Sequence, residues 1–189
     1  MRNVLGLSLL LVLPLLNGCA EVILGGAAVT GGVLATDRRT IGTVTEDQGI
    51  ELRTSSRVSE RFKDGVNLSV TSYNRMVLLT GEVPDAATRA DIERLARSVE
   101  NVRGIYNELA VAGVSSFGAR ANDSLITSKV KARFVDAQKF NALHVKVVTE
   151  RNVVYLLGLV NRKEADDATE IARTTSGVQK VVRVFEYLD

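Results

Sequence analysis

The chain has no tryptophan, one cysteine, one histidine and two prolines in 189 residues, and aromatics make up only 5% of it. Each shortage narrows the functions open to it. Stacking on bases or sugars has little material to work with. The lone Cys19 rules out an internal disulfide. His144 has no second histidine and no further cysteine with which to share a metal; its place in an alternating segment reads as mid-strand on the solvent face. No charge of one sign dominates either. The net charge is +2: three basic and two acidic residues before Glu46, nine basic and eleven acidic over Glu46–Ala112, and twelve basic and nine acidic over Gly113–Asp189. The mildly basic second part suits an anionic surface better than a nucleic acid, which would call for clustered Lys and Arg.

Patterns that carry chemistry are also missing. Gly25-Gly26 and Gly31-Gly32 are not followed by the Lys-Ser or Lys-Thr of a phosphate loop. No serine sits in a Gly-x-Ser-x-Gly setting. Glu164, Asp166 and Asp167 lie near Arg162, Lys163 and Arg173 at spacings of helical surface pairs, not of a paired-carboxylate site. The sequence therefore points to no catalytic residues, no metal and no cofactor.

What is present is a repeat. Hydrophobic residues make up 46% and charged residues 24%, a globular composition. Met76–Val83 and Val153–Val160 are two copies of one apolar strand, each entered from a polar turn and each carrying a glycine, Gly81 or Gly158, 77 positions apart. An alternating strand precedes each turn, Val66–Thr71 and Leu143–Thr149. An Ala-rich helix and a last strand follow. In the second copy Asn122-Asp123 reads as the cap of a helix whose core stripe is Ile126, Val130 and Phe134. Arg162–Thr175 reads as its second helix and Val178–Tyr187 as its third strand. The first copy begins with a helix over Ile50–Phe62 whose stripe is interrupted by Ser55-Ser56. The expected fold is α+β: two tandem αββαβ units, each a three-stranded mixed sheet packed on two helices.

The amino terminus is of another kind. Met1–Asn3 is a short positive region and Val4–Leu16 an apolar run of 13 residues, short for a span and suited to a signal peptide over 1–18. It ends in Leu16-Asn17-Gly18-Cys19, which resembles the bacterial lipobox. That resemblance implies cleavage before Cys19, attachment of fatty acyl chains there and, with Ala20 next, sorting to the outer membrane. More than one acyl chain makes such an anchor stable. Residues 19–45 read as the lipidated terminus and a flexible tether, with units at 46–112 and 121–189 and a linker at 113–120.

Leu79-Thr80-Gly81 with Leu95-Ala96 and Val102, and Leu157-Gly158 with Ile171-Ala172 and Gly177-Val178, resemble the signature of the BON domain. A lipobox followed by two such domains is similar to the dual-BON outer-membrane lipoproteins of the DolP type, a resemblance covering nearly the whole chain. It implies that the second domain binds anionic phospholipid through its first helix. It also implies support of outer-membrane integrity, with the β-barrel assembly machinery or division-site components as partners and no nucleic acid. The corresponding residues here are Gly118, Arg120, Asn122, Asp123, Ser124, Leu125, Ser128, Lys129 and Arg133. On helical geometry Leu125 sits about 100° off the core stripe, with Lys129 one turn along. Read alone, this is an ordinary solvated face carrying one leucine, or else an apolar wedge beside cations. The resemblance favours the wedge, although the family pattern has an aromatic where Leu125 stands. A module that docks on an envelope assembly or division complex, with lipid contact incidental, is the alternative.

Overall fold

The computed structural model describes residues 37–189; the segment expected to be a signal peptide, Cys19 and the expected tether as far as residue 36 lie outside the described residues. Arg38–Asp189 form one compact unit whose three apolar clusters are all internal to it. Among the described residues no helix is long and apolar enough to cross a membrane.

The first repeat runs α1 (Ile41–Phe62), β1 (Asn67–Tyr73), β2 (Met76–Val83), α2 (Ala86–Arg97), β3 (Gly104–Asn107) and β4 (Ala110–Val111). The second runs α3 (Phe117–Ala137), β5 (Lys146–Glu150), β6 (Val153–Val160), α4 (Arg162–Arg173) and β7 (Lys180–Tyr187). In each, a hairpin pairs antiparallel and the strand after the crossover helix pairs parallel to the hairpin's second strand. In the first repeat that last strand is broken into β3 and β4, both against β2. The expected α+β fold is the observed one.

Several boundaries differ. Helix α1 begins at Ile41, capped by the Thr40 hydroxyl, so the last residues read as tether are helical. The only buried residue of its first two turns is Asp47, which leaves no apolar period to reveal them. Helix α3 begins at Phe117 and is capped by Ser116, not by Asn122-Asp123. His144 closes a short 3₁₀ turn, Ala142–His144, ahead of β5, and its side chain is largely buried beside Glu164. The mid-strand, solvent-face placement is therefore corrected.

The repeated glycines mark a close approach of each hairpin's second strand to the chain at the start of the hairpin. A Cβ on Gly81, whose φ is +115°, would lie 2.1 Å from the carbonyl oxygen of Asn67, and one on Gly158 would lie 2.5 Å from that of His144. Each repeat buries one sheet face under its helices: Ile50, Val58, Val77, Leu79 and Ile92 in the first, and Ile126, Val130, Phe134, Val154 and Leu156 in the second. The opposite faces pack on each other. Tyr73 and Leu78 of the first repeat meet Tyr155, Leu157, Leu159 and Val184 of the second in a third cluster.

Candidate membrane-facing site

Helix α3 has apolar residues on both sides. Ile126, Val130 and Phe134 are buried in the core of the second repeat. On the far side Phe117, Leu125 and Val135 are 81%, 52% and 63% exposed. Ala121, Ser128 and Ala132, also exposed, lie between them. These six positions recur at i, i+4, i+8, i+11, i+15 and i+18, one continuous stripe along a helix roughly 31 Å long. Lys129 and Asp136 flank the stripe on one side, with Ser124 and Lys131 on the other. Both lysines are exposed, and among the described residues neither has a carboxylate within ion-pair distance.

The expected site residues fall into two groups. Gly118, Ser124, Leu125, Ser128 and Lys129 face solvent on or beside the stripe. The Ser124 and Ser128 hydroxyls donate back to the carbonyls of Arg120 and Ser124 at 3.1 and 3.0 Å. Arg120 is exposed and donates to the Ser115 carbonyl at 2.6 Å, tying the first turn to the segment before it. Asn122 donates to the Asn152 side chain at 2.8 Å.

Asp123 and Arg133 are engaged elsewhere. The Asp123 carboxylate is buried and accepts the backbone N–H groups of Arg151 and Asn152, both at 2.9 Å. Those two residues form the left-handed turn of the β5–β6 hairpin, with φ of +52° and +61°. Asp47 does the same in the first repeat, accepting from the N–H groups of Asn74 and Arg75 and from the Ser72 hydroxyl. Arg133 donates to the Ile171 carbonyl at 2.8 Å and to the Thr175 and Thr174 hydroxyls at 2.7 and 3.1 Å, placing a cation at the carboxyl end of α4.

Phe117, Ala121, Ala132 and Val135 belong to the stripe and were missed by reading the sequence. Their spacing was the available signal; a helix started at Asn122 leaves out Phe117 and Ala121, and without them Ala132 and Val135 do not stand out as a stripe. Phe117 also places an aromatic on this face two turns before Leu125.

The first repeat serves as an internal comparison. With Asp47 set on Asp123 and Ile50 on Ile126, the positions of the stripe in α1 are Ile41, Thr45, Gly49, Leu52, Ser56 and Ser59. Ile41 and Leu52 are exposed there, but the others are polar or lack a side chain. The position of Lys129 is held by Arg53, bound to Glu46 at 2.5 Å, and that of Lys131 by Ser55.

Comparison with known proteins fits the two repeats one by one. Residues 46–113 and 122–189 each match the model of the BON domain. The chain belongs to the BON-domain family. It is a dual-BON, DolP-like chain, 41% identical over 177 residues to "Outer membrane lipoprotein DolP" of Haemophilus influenzae, an alignment covering 92% of this chain and 91% of that one. It is similar to a "21 kDa hemolysin" of Actinobacillus pleuropneumoniae, at 34% identity with 80% and 79% of the two chains covered. It is also similar to "Osmotically-inducible protein Y" of Escherichia coli, at 28% with 75% and 72% covered. In BON terms, the exposed stripe lies on the first helix of the second domain.

Proposed function

We propose that the chain is a non-enzymatic lipoprotein, held by Cys19 at the periplasmic face of the outer membrane, whose second BON domain binds anionic phospholipid through α3 and so supports outer-membrane integrity. The observation that carries this reading is the exposed Phe117–Val135 stripe between Lys129 and Lys131, which have no carboxylate partner among the described residues. A helix with one apolar face and cations at its margins lies in the plane of a bilayer interface, its apolar side sunk among the acyl chains and its lysines reaching up to the phosphates. Burying Phe117 and Leu125 supplies about 1.5–3 kcal/mol each, and each well-placed lysine about 1 kcal/mol on an anionic leaflet. Those sums make a weak site. Anchoring through Cys19 would keep it at high effective concentration beside the bilayer, where weak affinity suffices. Sorting by Ala20 and the name of the Haemophilus relative support the outer membrane as the place.

The test is co-sedimentation of a soluble form, residues 20–189, with neutral and with anionic vesicles at low and high salt. Binding should rise with the anionic fraction and fall as salt screens the lysines. Absence of binding to anionic vesicles at low salt would contradict the reading and leave α3 as a surface for a protein of the envelope.

A further inference from the structure

Glu82 is the most fully buried carboxylate of the body, and it stands where the two repeats and the linker meet. Its side chain is 0% exposed at the end of β2. The Asn67 amide donates to it at 2.7 Å from the same repeat. The Ser115 hydroxyl donates to it from the linker in a short contact, and Arg151 of the second repeat lies 3.6 Å away. Leu159 holds the equivalent position in the second repeat and is buried in the apolar cluster between the sheets. A glutamate is therefore kept at an interface where the fold accepts a leucine, although a buried charge is costly unless fully partnered.

Its partners are the root of α3. Ser115 precedes the Ser116 cap and also receives the Arg120 guanidinium on its carbonyl. Arg151 belongs to the hairpin turn held by Asp123 of α3. We propose that Glu82 is a charge latch, which fixes the first repeat against the linker and the first turns of α3 and lets them go when its charge is lost.

The groups around it set the direction of the response. Burial pushes the Glu82 carboxyl up, but the hydrogen bonds from Asn67 and Ser115 and the charge of Arg151 hold it below the ordinary glutamate range. Glu150, half-buried nearby, is pushed up by burial and by the charges of Glu82 and Asp123, against the pull of Arg151 and Arg120. Tyr155 is raised by burial and by Glu108, with Glu150 adding to it. A carboxyl lowered in the folded state stabilises it above the unfolded value and loses that contribution as pH falls through the folded one. Glu150 has the opposite sign and takes up its proton first. On acidification the cluster therefore first loses the Glu82–Glu150 repulsion, and the latch opens only when Glu82 itself is protonated, below the ordinary carboxylate range.

The test is amide hydrogen exchange of the 20–189 form, expressed as protection factors so that intrinsic rates cancel. In Glu82→Gln, protection of residues 119–123, the first hydrogen-bonded amides of α3, should fall at least tenfold at neutral pH while amides of α2 and α4 stay within twofold. The original protein should reach the same loss only in acid. Arg151→Ala, at a half-exposed side chain, should reproduce the local loss even if Glu82→Gln fails to fold. Unchanged protection at 119–123 in Arg151→Ala, or a loss spread evenly over both repeats, would overturn the latch. No lipid enters the measurement, so it can fail independently of the membrane reading.

Discussion

Asp123 and Asp47 show how one side chain on a helix can hold a distant turn. Each is an acid on an otherwise amphipathic helix, and each is spent on a hairpin turn whose left-handed residues leave N–H groups pointing inward. Removing the acceptor strands two part-buried donors at about 1–3 kcal/mol apiece. Asp123→Ala should therefore lower stability by about 2–4 kcal/mol in urea unfolding. Asp123→Asn, which keeps one acceptor oxygen, should lose less. Should Asp123→Ala keep its stability while losing vesicle binding, the carboxylate would be a headgroup contact after all. The ion pair of Arg38 with Glu164, at 2.6 Å, governs an acid limb. The hydrogen bond from Arg38, opposed by burial and helped by the Asn161 amide, lowers the Glu164 carboxyl to about 2. Stability should hold above the ordinary glutamate value and fall between there and pH 2, and Glu164→Gln should flatten that limb in thermal melts read against pH.

At the scale of elements, strands and second helices were legible because their burial is local. β2 and β6 are apolar runs ending at obligatory glycines, and α4 carries Ala165, Ala168, Ile171 and Ala172 on one side with a capping box at Asn161 and Glu164. The starts of α1 and α3 were not. In α1 the first two turns bury a carboxylate instead of an apolar stripe. In α3, Asn122-Asp123 imitates a cap, while the residue it caps lies 28 positions away across the hairpin. Of the candidate site, Leu125 and Lys129 were readable from their angle to the core stripe. Phe117 became visible only once the helix began after Ser116, and Val135 only as the far end of that longer stripe. The true cap can be tested directly: Ser116→Ala should cost about 1 kcal/mol and fray the turn that bears Phe117.

For the whole molecule, the sheets are the joint. Their outer faces share the cluster of Tyr73, Leu78, Tyr155, Leu157, Leu159 and Val184, so neither repeat is finished without the other. Each repeat by itself is small enough for its core to be marginal. Unfolding of residues 20–189 in urea should accordingly be a single transition. Leu157→Ala should shift it as a whole by about 2–5 kcal/mol, the range for a buried leucine. Two separable transitions would show that the repeats are independent. With the sheets turned toward each other, the helices face outward, and two similar helical surfaces are offered to the surroundings. They differ in what they expose: a stripe flanked by lysines on α3, and a broken, mostly polar one on α1.

That difference can be measured by comparing matched substitutions on the two helices. Phe117→Ser with Leu125→Ser should reduce binding of the 20–189 form to anionic vesicles by well over tenfold, since two buried apolar side chains at about 1.5–3 kcal/mol each are at stake. Ile41→Ser with Leu52→Ser, at equally exposed positions of the first repeat, should leave binding within about twofold, as surface substitutions outside a site do. Equal losses from both pairs, or a greater loss from the pair on α1, would contradict the assignment of membrane binding to the second repeat.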